Sequence, residues 1–311
     1  MFQIFSIKYY IRRVSMQTEL EFNNIPGILP IYLKILFSRK KGFKPGDSFP
    51  DIKAVINNIS INQEKLKAYR EICELEDDGN LPILYPHVFT APLHMAILSN
   101  KDFPIPLLGM LHYRNHLIQH RPIKSDEVLN VEVRLDEHRI VKQGFEFDYL
   151  ITVKSGGEAV WNSITTYLKQ GKFGKDFQIP QRGNLIEPIS DAEKISDSVI
   201  PKKIGKRYAK ICSDYNPIHI SKFMAKLFGF KRDIAHAMWA TAYSIGKLKL
   251  QNYRKPLRVD LAFKGPLFIE RKSYVMRSVK NDITRFDYCI EKNDKPCIIG
   301  KVSYVEKGSK L

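Results

Sequence analysis

One succession of elements occurs twice along this chain, and that repetition restricts the folds open to it. Residues Val88 to Ser99 form an apolar, helix-like run. Strand-like runs follow near 109–121, 127–136, 144–154 and 158–169, with Gly156-Gly157 as a tight turn. Further on, His236 to Leu250 reads as a helix. Ala237, Met238, Trp239, Ala240, Ala242, Tyr243 and Ile245 leave it apolar nearly all round, which predicts burial. Strand-like runs near 257–264, 271–280, 284–292 and 297–305 come after it, and Asn281-Asp282 and Asn293-Asp294 mark turns between the last three. A buried helix followed by antiparallel strands, twice over, predicts two α+β halves in which each sheet wraps its own apolar helix.

The length of 311 residues accommodates two such units. Residues 171–200 separate them and carry Gly171, Gly174, Pro180, Gly183 and Pro188 without sustained periodicity, so they read as a linker. The expected organisation is a leader or packed helix over 1–40, a first half over 41–170, the linker, and a second half over 201–311. In the second half Asn216 suits an N-cap and Pro217 the first helical position. Ile220, Phe223, Met224, Leu227 and Phe228 then recur at helical spacing up to Gly229, which predicts one helix.

Hydrophobic residues at 44% and charged residues at 27% give the balance of a globular chain with a sizeable core. The net charge of +17 favours anionic partners. The basic residues are spread along the chain, and the cluster Arg39-Lys40-Lys41 lies beside no nucleic-acid-binding signature, so no specific nucleic acid is expected. Four cysteines, Cys73, Cys212, Cys289 and Cys297, form no C-x-x-C pair or disulfide framework, which fits a reducing, cytoplasmic setting. Met1 to Ser15 is aromatic and basic, and reads either as a transit peptide or as a stretch upstream of a start at Met16. The apolar run Ile28–Phe37 contains Pro30 and Lys34 and falls short of the roughly 18 apolar residues that span a membrane. It packs on its own domain or, with Arg39–Lys41, contacts a membrane surface peripherally.

The chemistry concentrates in Tyr208-Ala-Lys-Ile-Cys-Ser-Asp214-Tyr-Asn216-Pro217-Ile-His219. Proline biases Asn216 to an extended backbone and sets the turn into the helix. Asp214 then precedes the helix and His219 lies in its first turn, so their side chains can converge. A carboxylate and an imidazole sharing one water make a general acid–base pair. Asn216 caps the helix or holds that water. Taken alone, an Asp-x-Asn-Pro stretch is more often a helix cap than a site.

The longer run, followed by Ala225 and Ile234-Ala-His-Ala-Met-Trp239, resembles the MaoC-like dehydratases, the (R)-specific enoyl thioester hydratases. The family pattern is an aromatic residue, then Ser or Thr, Gly, Asp, any residue, Asn, Pro, an aliphatic and His. The resemblance covers most of 200–305. The first half looks like the degenerate partner of double hotdog members; its run Leu107-Leu-Gly-Met-Leu-His-Tyr-Arg-Asn115 is similar to the strand after their helix and carries no catalytic motif. The resemblance implies a double hotdog, with one half keeping the active site and the other shaping an acyl tunnel. It implies that Asp214 and His219 activate water for hydration of a 2-enoyl thioester, or for the reverse dehydration, with Asn216 in support. By the same resemblance the backbone N–H of Ala237 would match the donor to the thioester carbonyl, and Tyr208, Pro217, His236 and Met238 would flank the substrate. The implied partner is an acyl-coenzyme A or acyl-carrier-protein thioester, with no cofactor and no metal, and a monomer or homodimer suffices. Two residues depart from the pattern: Ser213 and Ala237 stand where the family usually has glycine.

Other candidates are weaker. His112, His116 and His120 recur every fourth residue, but on a strand they spread too far apart to share one ion. Cys212 reads as a small buried thiol, His236 also suits a structural role, and Tyr85, Phe89 and Phe103 suit core or tunnel lining. Two other functions remain: a hotdog module that binds an acyl thioester without turnover and, ranked last, thioester hydrolysis.

Overall fold

The computed structural model describes residues 17–28, 31, 40–44, 46–107, 109–175, 177–178, 189, 191–250 and 255–311. The leader, most of the run Ile28–Phe37 and the middle of the expected linker lie outside these residues.

The first half contains β1 (Thr18–Phe22), β2 (Ile52–Ile59), α1 (Gln63–Cys73), α2 (Pro86–Ser99), β3 (Met110–Gln119), β4 (Leu129–Val141), β5 (Gly144–Ser155) and β6 (Glu158–Gln170). The second half repeats the order with β7 (Glu193–Val199), α3 (Ile204–Cys212), the short α4 (Pro217–Ile220) and α5 (Lys222–Leu227), α6 (Ala237–Leu248), β8 (Leu257–Phe263), β9 (Lys272–Lys280), β10 (Ile283–Ile290) and β11 (Ile298–Tyr304). The strands are ordered β1-β2-β4-β5-β6-β3-β8-β11-β10-β9-β7. Apart from the extra edge strand β1, which pairs in parallel with β2, one half mirrors the other about the β3–β8 pair. The two sheets therefore meet edge to edge and run on as a single sheet.

The helix expected at the centre of each half is there and is buried nearly all round. Pro86 opens α2 at its first turn, and 12 of its 14 residues are buried. In α6 the buried set runs from Trp239 to Leu248. Along β5, Phe145, Phe147, Tyr149, Ile151 and Val153 alternate onto one buried face, as the period of two demands, and the Tyr149 hydroxyl donates to the His94 carbonyl of α2 at 3.2 Å. Glu146 and Asp148 point to the opposite face. There Arg139 donates to Glu146 through Nε (2.8 Å) and to Asp148 through Nη1 (2.8 Å), Arg114 also pairs with Glu146, and Thr166 donates to Asp148 (2.6 Å). All five are buried, so each charge is matched within the cluster.

Two expectations need correction. The expected helix from Pro217 to Phe228 is broken at Ser221, which is extended (φ −140°, ψ 117°) and uses its Oγ to cap α5 by accepting from the Met224 N–H at 3.2 Å. A residue whose side chain can cap competes with helix continuation, and hydrophobic spacing alone does not register that. The expected linker also ends in a strand. Glu193–Val199 pairs with β9 as an edge strand, and its largely exposed, polar face is what hid it from a periodicity reading.

One hydrophobic core runs through both halves, and a satellite cluster of Ile218, Ala225 and Ile234 lies beneath α4 and α5. No helix among the described residues is long and apolar enough to cross a membrane.

At the seam His116 of β3 faces Asp260 of β8 in register. Its Nδ1 bonds Asp260 Oδ1 at 2.7 Å, and Arg258 Nε donates to both Asp260 oxygens at 2.9 and 3.0 Å. Burial alone would raise the Asp260 pKa, but these two partners outweigh it and hold it below the usual carboxylate value. A carboxylate depressed in the folded state stabilises the fold above its unfolded pKa of about 3.9 and loses that contribution as pH falls toward the folded value. Asp260→Ala is accordingly expected to cost about 3 kcal/mol in urea unfolding at neutral pH. The gap from wild type should narrow at pH about 3; an equal gap at both pH values would show that the seam carboxylate carries no charge-dependent stability.

Candidate active site

The site is built from the end of α3 onward. The last turn of α3 closes on Ser213, which is left-handed (φ 60°, ψ 17°) and donates its N–H to the Ala209 carbonyl at 2.8 Å. Ser213 thus holds a conformation that glycine adopts without steric cost. Asp214 follows, and its Oδ1 accepts the Asn216 N–H at 3.1 Å. Asn216 Oδ1 accepts the Ile218 N–H at 3.4 Å, with Pro217 at the first helical position, so this side-chain oxygen caps α4.

His219 lies on α4 with its Nδ1 2.9 Å from the Ile234 carbonyl. Only an N–H can bond there, so Nδ1 carries the proton and, in the neutral ring, Nε2 keeps its lone pair. That Nε2 stands 3.8 Å from Asp214 Oδ2. The gap is too long for a direct hydrogen bond, and one water oxygen beside it, about 2.8 Å from each atom, can bond both. The Asp214 side chain is 40% exposed and that of His219 11%, so the pair opens toward solvent on the carboxylate side.

His236 holds this arrangement from behind. Its Nε2 lies 3.0 Å from the Asp214 carbonyl and 3.7 Å from Oδ2, and its ring stacks on His219 with centroids 3.8 Å apart. Burial, and then the neighbouring His219, push its pKa well below the ordinary histidine value, so it is neutral and donates through Nε2. Behind it the rings of Tyr208 (5.1 Å), Tyr69 (6.1 Å further) and Tyr85 (5.1 Å further) continue into α1 and α2 of the first half. Tyr208 is 2% exposed and backs His236, which makes it a support for the pair rather than a surface for substrate. Burial drives the Cys212 thiol well above its usual pKa, as suits a small buried side chain rather than a nucleophile.

Close backbone approach fixes His219 from another side. A Cβ on Gly205 of α3 would lie 2.0 Å from the His219 carbonyl oxygen, so only glycine lets α3 press against α4. Below, the Ile234 N–H donates to the Ile218 carbonyl at 3.1 Å and the Ala235 N–H to that of Leu267 at 2.8 Å. The first bond ties the segment carrying the His219 acceptor to the satellite cluster and the second ties it to the main core. Ala237 opens α6, where its N–H has no acceptor inside the helix, and Met238 beside it is partly buried.

Asp214, His219 and His236 offer three donor atoms within 4.8 Å of one another. Each histidine already bonds a carbonyl through one nitrogen, and the His236 Nε2 bond to the Asp214 carbonyl uses the atom that faces the carboxylate. The set is therefore held by hydrogen bonds rather than arranged as a closed tetrahedral metal shell.

The first half reaches the same place, which sequence reasoning missed. The Asp214 charge acts on His112 of β3 and on Tyr167 of β6, whose rings stack at 5.5 Å. Burial and His87 push the His112 pKa down to about 3, and its buried Nε2 has no hydrogen-bond partner among the described residues. Only the spacing of His112 was legible locally; its approach to Asp214 depends on strand pairing across the two halves. A cavity of about 450 Å³ runs from Ser213 into the first half between β2 and α2, lined both by apolar residues (Ile56, Tyr85, Phe89) and by polar ones (Asn58, Asn62, Lys65).

Comparisons with known proteins agree with this architecture. Residues 191–286 match the family described as MaoC like domain. The chain is 29% identical over 226 residues to 3-hydroxyacyl-thioester dehydratase X of Mycobacterium tuberculosis, covering 72% of this chain and 79% of the relative. The crystal structure of HtdX from the same organism superposes with a TM-score of 0.68 at 25% identity, over 81% of this chain and 100% of that one. A further Mycobacterium tuberculosis protein, described as having a double hotdog fold, aligns with a TM-score of 0.56 at 10% identity, over 86% of this chain and 99% of that one, a likeness of fold.

Two substitutions test how the site is built. Ser213→Gly relieves the left-handed strain and should raise unfolding stability by about 1 kcal/mol; no gain in denaturant melts would mean that Ser213 is not strained. Gly205→Ala forces α4 away, and a displacement on the scale of 1 Å should lower turnover by roughly a hundredfold while the far-ultraviolet spectrum stays native. Full activity would show that the α3–α4 approach does not position His219.

Proposed function

We propose that this chain, a double hotdog whose residues 191–286 form a MaoC-like domain, adds water to a 2-enoyl thioester or removes it from the corresponding (R)-3-hydroxyacyl thioester. Homology to a 3-hydroxyacyl-thioester dehydratase supports the reaction class. The observation that carries the reading is the 3.8 Å gap between His219 Nε2 and Asp214 Oδ2, with the His219 tautomer fixed by the Ile234 carbonyl.

A water bridging that pair from beside it donates one hydrogen bond to each acceptor and presents its oxygen to C3 of the substrate. As the C3–O bond forms, His219 Nε2 takes a proton from the water, and the Asp214–His219 pair returns one proton to C2. The sum is one water added, with no other reactant, and dehydration runs the same steps backwards. Negative charge gathers on the thioester oxygen as the enolate forms. The Ala237 N–H at the start of α6 is a donor of the right kind, because helix N-termini leave N–H groups without internal partners and carry a positive dipole end. Asn216 Nδ2 is left over from the cap as a further donor toward the water or substrate. The acyl chain then extends toward the cavity beside Ser213.

The alternative, an acyl-thioester-binding module without turnover, is motivated by Ser213 and Ala237. Ser213 keeps the left-handed backbone of the usual glycine and Ala237 still supplies an N–H, which favours catalysis over its loss.

The test is a panel of 2-enoyl-coenzyme A and enoyl-carrier-protein thioesters followed by loss of enoyl absorbance. Asp214→Asn and His219→Gln are expected to lower turnover by about 10²–10⁴-fold with folding intact. Wild-type binding without turnover on every thioester, or undiminished turnover in Asp214→Asn, would overturn the assignment.

A further inference from the structure

The outer face of α5 is unusual for a surface helix. Phe223 is 70% exposed and Leu227 66%, and at a spacing of four residues they stand side by side on one face. On the inner face Ala225 is fully buried against Ile218 and Ile234. α5 is therefore held from beneath while its two largest apolar side chains point to solvent.

Positive charge surrounds that pair. Lys222 and Lys226 flank it on the same helix, Lys231 follows, and Lys202, Lys203, Lys206, Arg207 and Lys210 are exposed along and just before α3. From Pro201 to Arg232 the sequence holds nine basic residues and a single acid, Asp214. The charges of Lys202 and Lys222 both act on Glu270, whose main partner is Arg232, so the starts of α3 and α5 share one side of the molecule. This face adjoins the site: Phe223 lies four residues beyond His219, and α5 rests on the cluster that includes Ile234, the residue whose carbonyl holds His219.

Resting on the reaction proposed above, we infer that the Phe223–Leu227 face and its lysines are the docking surface for an acidic acyl carrier protein, which presents the thioester to Asp214 and His219. The chemistry selects this occupant. Lysines alone would suit the phosphates of coenzyme A, but a nucleotide does not require two bare apolar side chains on a pinned helix. A lipid surface would use both features, yet α5 is six residues long and offers only that pair, little for stable burial in a bilayer. An acidic protein helix with apolar residues of its own matches a small apolar centre ringed by cations, which suits a brief, steered encounter.

The experiment compares one 2-enoyl chain carried by coenzyme A with the same chain on an acidic acyl carrier protein. The proteins are wild type, Phe223→Ser/Leu227→Ser, and Lys222→Glu/Lys226→Glu. For the carrier-linked substrate both variants should raise KM by about tenfold or more with kcat held. The charge-reversed variant should also show a weaker salt dependence than wild type. The Phe223→Ser/Leu227→Ser variant should leave turnover of the coenzyme A substrate unchanged. Unchanged carrier kinetics, or equal losses on both substrates, would overturn the docking assignment while leaving the reaction in place. So would binding to phosphatidylserine vesicles that depends on Phe223 and Leu227 without any change in carrier kinetics. Wild-type inactivity on both substrates would instead overturn the reaction, and the docking surface with it.

Discussion

The pairing of β3 with β8 is the constraint on which the rest depends. Each half alone would end in an open strand edge, with unpaired backbone groups inviting association. Joined, the halves bury those edges against each other, and His116 meets Asp260 directly across the join. The mirrored strand order about this seam places α2 and α6 on one continuous sheet and lets a single core run through both. A hotdog pairing that separate chains would make as a dimer is thus made within one chain.

The proposed acid–base pair inherits its precision from that union. Asp214 and His219 sit on a short loop and one turn of helix, elements too small to be rigid alone. They are fixed from several directions: the Ile234 carbonyl on His219, Gly205 pressing beneath its backbone, and His236 on the Asp214 carbonyl. Behind His236 the column of Tyr208, Tyr69 and Tyr85 passes into the first half. Trp239 adds a bond from α6 to the Ile72 carbonyl at the end of α1 (2.8 Å). The first half therefore buttresses the half that holds the proposed site, and its His112 and Tyr167 lie within reach of the Asp214 charge.

Much of this was legible in the sequence because it rests on local signals. The two apolar helices and eight of the strands follow from periodicity and turn residues. The convergence of Asp214 and His219 follows from a proline that fixes the turn between them. What was not legible depends on competition or on distance. Ser221 breaks a helix that its neighbours' spacing supports, because its hydroxyl caps the next one. β7 hides in a polar stretch because an edge strand needs no buried face on both sides. The approach of His112 to Asp214 has no local signature, since strands far apart in sequence create it. Ser213 shows the reverse case: a residue that departs from the expected glycine still takes the left-handed backbone, because the end of α3 and the Asp214 loop together demand it.

In the proposed reaction one water, held against His219 and Asp214 on a single face of the substrate, supplies both the hydroxyl at C3 and the proton at C2. The most direct measurement is the stereochemistry of hydration in deuterated water. That reaction gives an (R)-3-hydroxyacyl thioester with one deuterium at C2, added to the same face as the hydroxyl. Deuterium on the opposite face would require a second group across the substrate and would contradict it. Release of free thiol and carboxylic acid would contradict it as well.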